Sequence, residues 1–586
     1  MNRPLRHISI RVPWHDTGWD GRVCAAPRLN GACLNLRRIA ESRNDDAEEK
    51  IAGKTLEEVP HHQWPPCVAE RMGFMAPFEY TRFPNHPYNR GPETSHGHFK
   101  DTPLRHPPYS APAVPFYWML RENLTELAEA HSIDAIDERE PDLGFEAAKT
   151  WVQDRENQQA LLECFRSYIK PEKSLCFFYA KQVPFVEDAG ARRILIGVGR
   201  VLHVTPPQEY DYLTKNLTGK LRSMLWELMV QHSIRPDFRD GFLLPYHAAA
   251  RKSDDDPGFD PADVTAFTPA DRLSEFSHAS QLVTHDGAIA SLLSCGAALR
   301  RVRQVLPGKW DHCLDWIDAR LSELWRARGP CPGLGPALSA FGLEQGTFVA
   351  YAIMEKAGEN ANPWPLVEAM FAKPDEYLPP ELAGGVGKTL RAKWERLPDE
   401  RRALLQLLSR FELSGDQAKL LYVQEERTSS GIDLSDAAII DNPYTIFEAT
   451  RLTNGPVSVW TVDRGVFPPD VIRTKHPLPE PSALDAGTDA RRVRALCANV
   501  LEDAAADGNT LLPQRQIVLA IRSLEIQPGC AVDSDLMDVA KDDFGGVISE
   551  IRMADDSPAL QLTRLSEMGA VIRDALEKRI KGKRHS

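Results

Sequence analysis

Length, composition and charge place the chain among soluble globular proteins, since its 586 residues are 42% hydrophobic and 26% charged and suggest about four domains. The formal net charge of -13 argues against a protein that coats nucleic acid over its whole surface, so any DNA contact must be local. The chain has no apolar amino-terminal h-region and no run of about 18 apolar residues, and its ten cysteines are dispersed, so we expect reduced thiols, a cytoplasmic location and no membrane partner.

Residues 1–140 form the first predicted domain, an irregular module rich in Pro, His and aromatic residues. The aromatic side chains supply enough burial for a core, which favours a folded module over disorder. Four residues here are candidate zinc ligands: Cys24, Cys33, His61 and Cys67. Because Cys24 and Cys33 lie nine positions apart and the chain has no CxxC pair, the spacing predicts ordinary thiols, with a zinc site as the alternative.

Residues 141–285 form a predicted α+β module. Two β-rich runs, "SLCFFYAKQVPF" and "RRILIGVGRVLHV", are joined by a polar segment and predict a small sheet, either a plain β-hairpin or a small barrel that holds a modified base. The segment 232–247 then concentrates polar residues around an apolar run, as a polar site would or as an Arg–Asp network that pins loops. Its polar members are His232, Arg235, Asp237, Arg239, Asp240 and His247.

Residues 286–466 form a predicted helical block with a helix, a glycine hairpin and a second helix near its start. In 313–343, apolar residues recur at helical spacing, "GPCPGLG" stops the helix, and a second helix begins near Pro336. Gly333 and Gly335 would let a DNA strand approach the backbone while free N–H groups donate to phosphates. The alternative is an αα-hairpin whose glycines only turn the chain.

The stretch "LAGGVGKTLR" at 382–391 resembles a phosphate-binding P-loop but lacks two of its requirements. Leu382 occupies the position of the first glycine, and prolines at 374, 379 and 380 rule out a preceding central strand. We therefore reject Lys388 and Thr389 as a nucleotide site and expect a connection into a helix that begins near Thr389. No cofactor is expected in this chain; ATP and Mg would be needed only with a motor domain supplied elsewhere.

Two further features complete the chain. Residues 403–424 again read as helix, short turn and helix, with Ser414 as N-cap of a helix that carries Gln417 and Lys419. A Pro-rich linker at 467–483 precedes a terminal domain, 484–586, whose basic tail offers phosphate contacts or a favourable helix end. The tail residues are Lys578, Arg579 and Lys581.

In their order, these features resemble the non-motor amino-terminal region of the long RecD-type superfamily-one DNA helicases, over roughly residues 295–580. That family carries tandem helix-hairpin-helix units, an "LS..QA..ly" stretch, an "ENPY"-like turn and a winged-helix-like segment with a "GHTYLP" turn. The matching residues are Leu413, Ser414, Gln417, Ala418, Leu421 and Tyr422, then Asp441, Asn442, Pro443 and Tyr444, and finally "GNTLLP" at 508–513. The family's motor domain has no counterpart in this chain.

The sequence thus predicts an α+β multidomain protein with a loop-rich α/β amino-terminal half, a helix-hairpin-helix block and a small winged-helix-like domain. The expected function is sequence-tolerant binding of DNA, as a single strand or a junction, in phage defence or DNA repair. Its site residues would be Gly333, Gly335, Ser414, Gln417, Lys419, Lys578, Arg579 and Lys581. Two alternatives remain, a metal-dependent nuclease or other nucleic-acid enzyme with its site in residues 1–250, and a scaffold for a separate helicase motor or defence partner.

Overall fold

The protein is a mixed α+β molecule, about half helical, in a computed structural model that divides into two compact units, Met1–Leu321 and Ser322–Ser586. None of the helices described combines the length and apolar content that crossing a membrane requires. The predicted boundaries at 140, 285 and 466 stay predictions. The structure describes residues 3–12, 22–29, 43–55, 58–65, 74–75, 78–82, 99–138, 150–181, 183, 185–186, 192–213 and 222–581.

The first unit is organised around a seven-stranded sheet that curls into a half-barrel. Its strands are β1 (His7–Arg11), β4 (Ser110–Ala113), β5 (Leu175–Ala180), β6 (Ile194–Val204), β9 (Leu228–His232), β10 (Gly241–Leu243) and β11 (Ser280–Val283). Their order in the sheet is β11-β1-β5-β6-β9-β4, with β10 paired to β6; β1 and β5 are parallel, and the other pairs are antiparallel. Two short pairs accompany it, β2 (Phe78–Arg82) with β3 (Thr102–His106) and β7 (Gln208–Glu209) with β8 (Met224–Leu225).

The two β-rich runs predicted from the sequence are the central strands β5 and β6. They pair antiparallel with Leu175 opposite Arg200, and all six residues of β5 are buried. Gly197 permits the close approach of β10, since a Cβ there would lie 2.5 Å from the Phe242 carbonyl oxygen. The runs therefore belong to a larger sheet than either a lone hairpin or a small closed barrel.

The helices of the first unit lie between and after these strands. They are α1 (Asp45–Ile51), α2 (Phe116–Met119), α3 (Leu124–His131), α4 (Arg155–Ser167), α5 (Tyr246–Asp255) and α6 (His285–Val305), and α7 (Trp310–Arg328) runs across the boundary at 321. Short 3-10 segments are Pro27–Leu29, His61–Gln63, Arg121–Asn123, Pro261–Val264 and Ala270–Phe276.

The second unit opens as a helical block around two packed helix hairpins. Helix α8 (Leu334–Phe341) packs against α9 (Gly346–Ala357), α14 (Asp399–Leu408) and α15 (Gly415–Tyr422). The intervening helices are α10 (Trp364–Ala372), α11 (Pro374–Tyr377), α12 (Pro380–Ala383) and α13 (Lys388–Glu395). After them come α16 (Gln424–Ser429), α17 (Asp436–Asp441), α18 (Thr445–Thr450), α19 (Val459–Val466) and α20 (Asp470–Arg473).

The carboxy-terminal part of this unit runs helix, strand, helix, helix, strand, strand, helix. Its antiparallel sheet has the order β12-β14-β13, with Leu512 opposite Leu560 and Ile551 opposite Ala559. One apolar core extends from Cys331 to Leu562 and is shared with the helical block. The elements are α21 (Ala490–Ala506), β12 (Leu512–Pro513), α22 (Gln514–Ser523), α23 (Ser534–Ala540), a 3-10 turn (Lys541–Asp543), β13 (Ile548–Arg552), β14 (Pro558–Leu562) and α24 (Thr563–Lys581).

A buried polar network joins α19 and α21 within this core. Arg492, fully buried, donates to both carboxylate oxygens of Asp463 at 2.7 and 2.9 Å, and the Tyr444 hydroxyl donates to the same carboxylate at 2.6 Å. The same guanidinium also donates to the carbonyl oxygens of Gly487 and Pro528. The tyrosine of the "DNPY" turn therefore has a structural partner inside the unit.

Candidate nucleic-acid interface

The glycines of the predicted hairpin face protein backbone. Gly333 is buried, and its N–H donates to the Ser409 carbonyl at 2.9 Å. A Cβ at Gly333 would lie far inside van der Waals distance of the Phe411 carbonyl oxygen, and a Cβ at Gly335 would lie 2.9 Å from the Thr347 Cα. The close approach predicted for a DNA strand is therefore made by the turn after α14 and by α9. These contacts favour the plain αα-hairpin, and the contact of Gly333 and Gly335 with DNA stays a prediction.

The start of α15 confirms the predicted N-cap and shows that its polar side chains are occupied. Ser414 Oγ accepts from the Gln417 N–H at 3.1 Å, and Gln417 Oε1 accepts from the Ser414 N–H at 3.0 Å, which is a capping box. Gln417 Nε2 also donates to the Pro456 carbonyl at 2.7 Å. Both side chains thus hold the helix start, and Asp416 in the first turn disfavours an anion there.

Lys419 and the basic tail are exposed, but part of their charge is paired. Lys419 Nζ lies 2.8 Å from Glu426, and the hydrogen bond to that carboxylate raises the pKa of the lysine. Lys581 Nζ lies 3.2 Å from Glu577 on α24. Lys578 and Arg579 are exposed in the last turn, where cations are favourable to the helix dipole.

The glycine loop at 384–387 leads from helix α12 into helix α13, and no strand among the residues described feeds it. Lys388 is the first residue of α13, close to the predicted start, and the N-cap Gly387 makes no side-chain cap bond. A Cβ at Gly384 or Gly387 would meet nothing within 4 Å. This differs from a P-loop, whose glycines follow a buried strand.

Exposed cations without a carboxylate partner lie on α13. Among the described residues, neither Lys388 nor Arg396 at its carboxy-terminal cap lies within ion-pair distance of an acid, and the first turn of α13 holds no acidic residue. Lys393 fixes helix α13 beside the end of α8, because its Nζ donates to the Phe341 carbonyl at 2.7 Å. Two cations available to an outside anion are therefore carried by a helix that contacts the end of α8.

A second pair of such cations lies on α22. Arg515 and Arg522 are exposed and flank exposed Leu519 on one helix face, with no carboxylate in ion-pair distance within the part of the chain described. The helix contains no acidic residue. Helix α23 and the turn after it are negatively charged instead, with exposed Asp535, Asp542 and Asp543. Motif spacing indicates none of Arg396, Arg515 and Arg522, and it brought out Lys388 only as part of a rejected nucleotide site. The sequence signal for Arg515 and Arg522 is a helix without acidic residues.

The candidate residues of the first unit are only partly described. Cys24 is an exposed thiol, whereas Cys33, Cys67 and the side chain of His61 lie outside the described residues. Within the residues described, no three His, Cys, Asp or Glu side chains form a group that could hold a metal ion. The zinc alternative stays a prediction.

The polar segment 232–247 contains an Arg–Asp network of the kind that pins loops. Asp240 Oδ1 accepts from Arg200 at 3.1 Å and from the Trp316 indole at 2.8 Å. His232 is buried with its Nε2 2.6 Å from the Phe74 carbonyl oxygen, and burial lowers its pKa to about 3. These contacts fix the loop before β10.

No known protein family, curated protein or solved structure matches this chain.

Proposed function

We propose that the second unit binds the phosphate backbone of DNA without reading base sequence. The observation that carries the proposal is two pairs of exposed cations, Lys388 with Arg396 and Arg515 with Arg522, none of which lies within ion-pair distance of an acid among the described residues. Elsewhere in this unit, exposed lysines such as Lys419 and Lys581 are neutralised by neighbouring carboxylates. Cations left without an acid are the groups that release counterions when they meet phosphates.

The order of the elements supports the same proposal. Two packed helix hairpins, α8–α9 and α14–α15, precede a part with a helix–strand–helix–helix–strand–strand order and a three-stranded antiparallel sheet. Tandem helix-hairpin-helix units followed by a winged-helix-like domain are what the resemblance to RecD-type helicases implies. The order of the elements concerns the fold alone, whereas the cations are the groups that would bind phosphates.

The proposed contacts are made by side chains, because the hairpin glycines and the α15 cap are occupied by protein. Contacts to phosphates fix the position of a protein on DNA but carry no sequence information directly. The exposed carboxylates of the turn after α23 repel phosphates, so the DNA strand does not bind along that turn. A single strand or a junction, held by α13 and α22, is the ligand that we propose.

The test is fluorescence anisotropy with labelled single strands and junctions of unrelated sequence. If about three to five phosphates of a duplex arm are neutralised, the logarithmic salt slope is roughly -3 to -5. The double variants Lys388→Glu/Arg396→Glu and Arg515→Glu/Arg522→Glu should each weaken binding by about tenfold or more, or ~1.4 kcal/mol.

The matched control changes the charge equally but at paired lysines. Lys419→Glu/Lys581→Glu should weaken binding by less than about threefold, because these lysines already interact with Glu426 and Glu577. Equal losses in the control and the test variants, or a strong preference for one base sequence, would reject the proposed interface.

A second function, a scaffold that binds protein, is favoured by one specific observation. Helix α24 exposes five large apolar side chains and buries none. Exposed apolar patches of this kind mark interaction sites more often than solvent faces. The nuclease alternative in residues 1–250 stays a prediction.

A further inference from the structure

Helix α24 presents an apolar face that has no partner in the described chain. Its exposed side chains are Met568 (59%), Val571 (69%), Ile572 (59%), Leu576 (51%) and Ile580 (81%). Four of them recur every four residues and therefore form one stripe along the helix. We call these five residues the α24 stripe. A solvent-exposed helix is expected to be polar on its outer face, so the stripe requires a covering surface.

Two cations accompany this stripe. At 100° per residue, Arg573 lies beside the face formed by Leu576 and Ile580, and Arg579 points between the directions of Met568 and Ile572. Neither arginine lies within ion-pair distance of an acid among the residues described. The surface that covers the stripe is therefore expected to be apolar with acidic edges.

A groove with this chemistry lies between α14 and α17 of the same unit. It has a volume of about 680 Å³. It is lined by the apolar residues Ala403, Ala437, Ala438, Ile440 and Pro481, together with three exposed acids, Asp399, Glu400 and Asp441. Alanine side chains leave room for the larger side chains of an incoming helix. We call this feature the α14–α17 groove.

We propose that the α24 stripe of one copy docks in the α14–α17 groove of a second copy. The stripe and the groove match in polarity, and the arginines of the helix match the acids of the groove in charge. An amphipathic helix that lays its apolar face into an apolar groove is a recurring mode of helix recognition. This proposal is independent of DNA binding.

The proposed exchange is reciprocal, which two copies can satisfy because each carries both a stripe and a groove. Two such contacts related by a twofold axis close the assembly as a dimer, and two sets of five large apolar side chains leave water together. An open head-to-tail chain would leave one stripe exposed at its end, so the closed pair is favoured.

The first test measures the mass of the full chain without DNA by light scattering and sedimentation between ~1 and ~100 µM. We expect a concentration-dependent dimer that weakens in salt. Ile572→Ser/Leu576→Ser should raise the dimer dissociation constant at least about tenfold, while circular dichroism stays unchanged because both side chains are exposed. Leu519→Ser is the matched control, since Leu519 and Ile572 are each 59% exposed on the same unit.

The second test exchanges the charges. Glu400→Lys/Asp441→Lys and Arg573→Glu/Arg579→Glu should each be largely monomeric alone, because like charges meet in both contacts. Mixed together, the two variants should form a heterodimer, since each helix then meets a groove of opposite charge. This rescue cannot arise from a variant that merely fails to fold.

Three results would overturn the proposal. The first is a wild-type chain that stays monomeric up to ~100 µM. The second is a Leu519→Ser control whose dimer dissociation constant rises as much as that of the stripe variant. The third is a pair of charge-exchanged variants that fail to associate when mixed. Because no DNA is present, failure here leaves the proposed DNA binding to be judged by its own experiment.

Discussion

Arg492 shows how a single buried charge organises the helical unit. Burial opposes its charge, but the attraction of the Asp463 carboxylate outweighs that cost and raises the pKa of the guanidinium. The remaining N–H groups donate to the main-chain carbonyl oxygens of Gly487, Pro528 and Gly529, so each nitrogen of the guanidinium has an acceptor. A paired and hydrogen-bonded charge is tolerated inside a core, whereas either partner alone is not.

Removal of one partner should therefore destabilise the unit strongly. Arg492→Met leaves the Asp463 carboxylate buried without its cation and should lower the free energy of unfolding by about 3–5 kcal/mol in urea denaturation. Arg473→Met is the control, because Arg473 pairs with Asp470, whose side chain is 73% exposed; its loss should be below about 1 kcal/mol. Similar losses for both variants would contradict the assigned network.

At the scale of elements, the structure separates what local pattern determines from what distant contacts determine. The Ser414 cap, the pairing of β5 with β6 and the helix start at Lys388 follow from neighbouring residues, and the sequence predicted them. The approach of Phe411 to Gly333 brings together residues about 80 positions apart, and nothing in "PGLG" distinguishes a protein neighbour from DNA. The same limit applies to the parallel pairing of β1 with β5 and to Arg515 and Arg522, whose importance depends on which acids lie nearby in space.

A side chain added at Gly333, in the turn between α7 and α8, should therefore destabilise the second unit by steric crowding. Gly333→Ala places a methyl group against the Phe411 carbonyl and should lower the free energy of unfolding by about 1–3 kcal/mol or more. Its φ of -92° is accessible to alanine, so the effect is a clash and not backbone strain. Urea denaturation and circular dichroism provide the measurement.

Gly384→Ala is the control for this substitution. Gly384 has a helical φ of -59°, and a Cβ there would meet nothing within 4 Å. Its effect should stay within about ±0.5 kcal/mol. A tolerated Gly333→Ala would mean that the turn after α14 does not pack on the hairpin and would reopen that hairpin as a DNA contact.

At the scale of the whole molecule, we expect acid stability to depend on buried histidines whose pKa is lowered, and His131 and His232 are two of them. His131 stacks on Trp118 with ring centroids 4.6 Å apart, and its Nδ1 lies 2.8 Å from the Tyr168 hydroxyl. Burial, together with the charges of Arg3 and Arg6, lowers its pKa to about 4. His232 is the second such residue, and burial lowers its pKa to about 3.

The sign of the resulting pH dependence follows from proton uptake. Unfolded histidine has a pKa near ~6.5, so between pH ~6.5 and ~4 the unfolded state binds protons that the folded state does not. The free energy of unfolding should therefore fall on acidification, by up to about 1.4 kcal/mol per pH unit for each histidine. His131→Gln should reduce this slope in thermal or urea unfolding followed by tryptophan fluorescence; an unchanged slope would show that His131 is protonated in the folded protein.

The path of the chain between Asp463 and Arg492 has a consequence for dissecting the protein. The Pro-rich stretch lies between these two residues and is fixed by hydrogen bonds. Arg410 donates to the carbonyl oxygens of His476 and Pro477, and the Ser482 hydroxyl donates to the carbonyl oxygen of Ile440. A nick in this stretch would leave two fragments that still share the buried ion pair and one apolar core. Expressed apart, each fragment would carry half of that pair into an incomplete interior. The natural place to cut the chain by sequence therefore runs through a shared interior, and we expect fragments cut there to complete that interior only when they are combined, as in split-protein reconstitution.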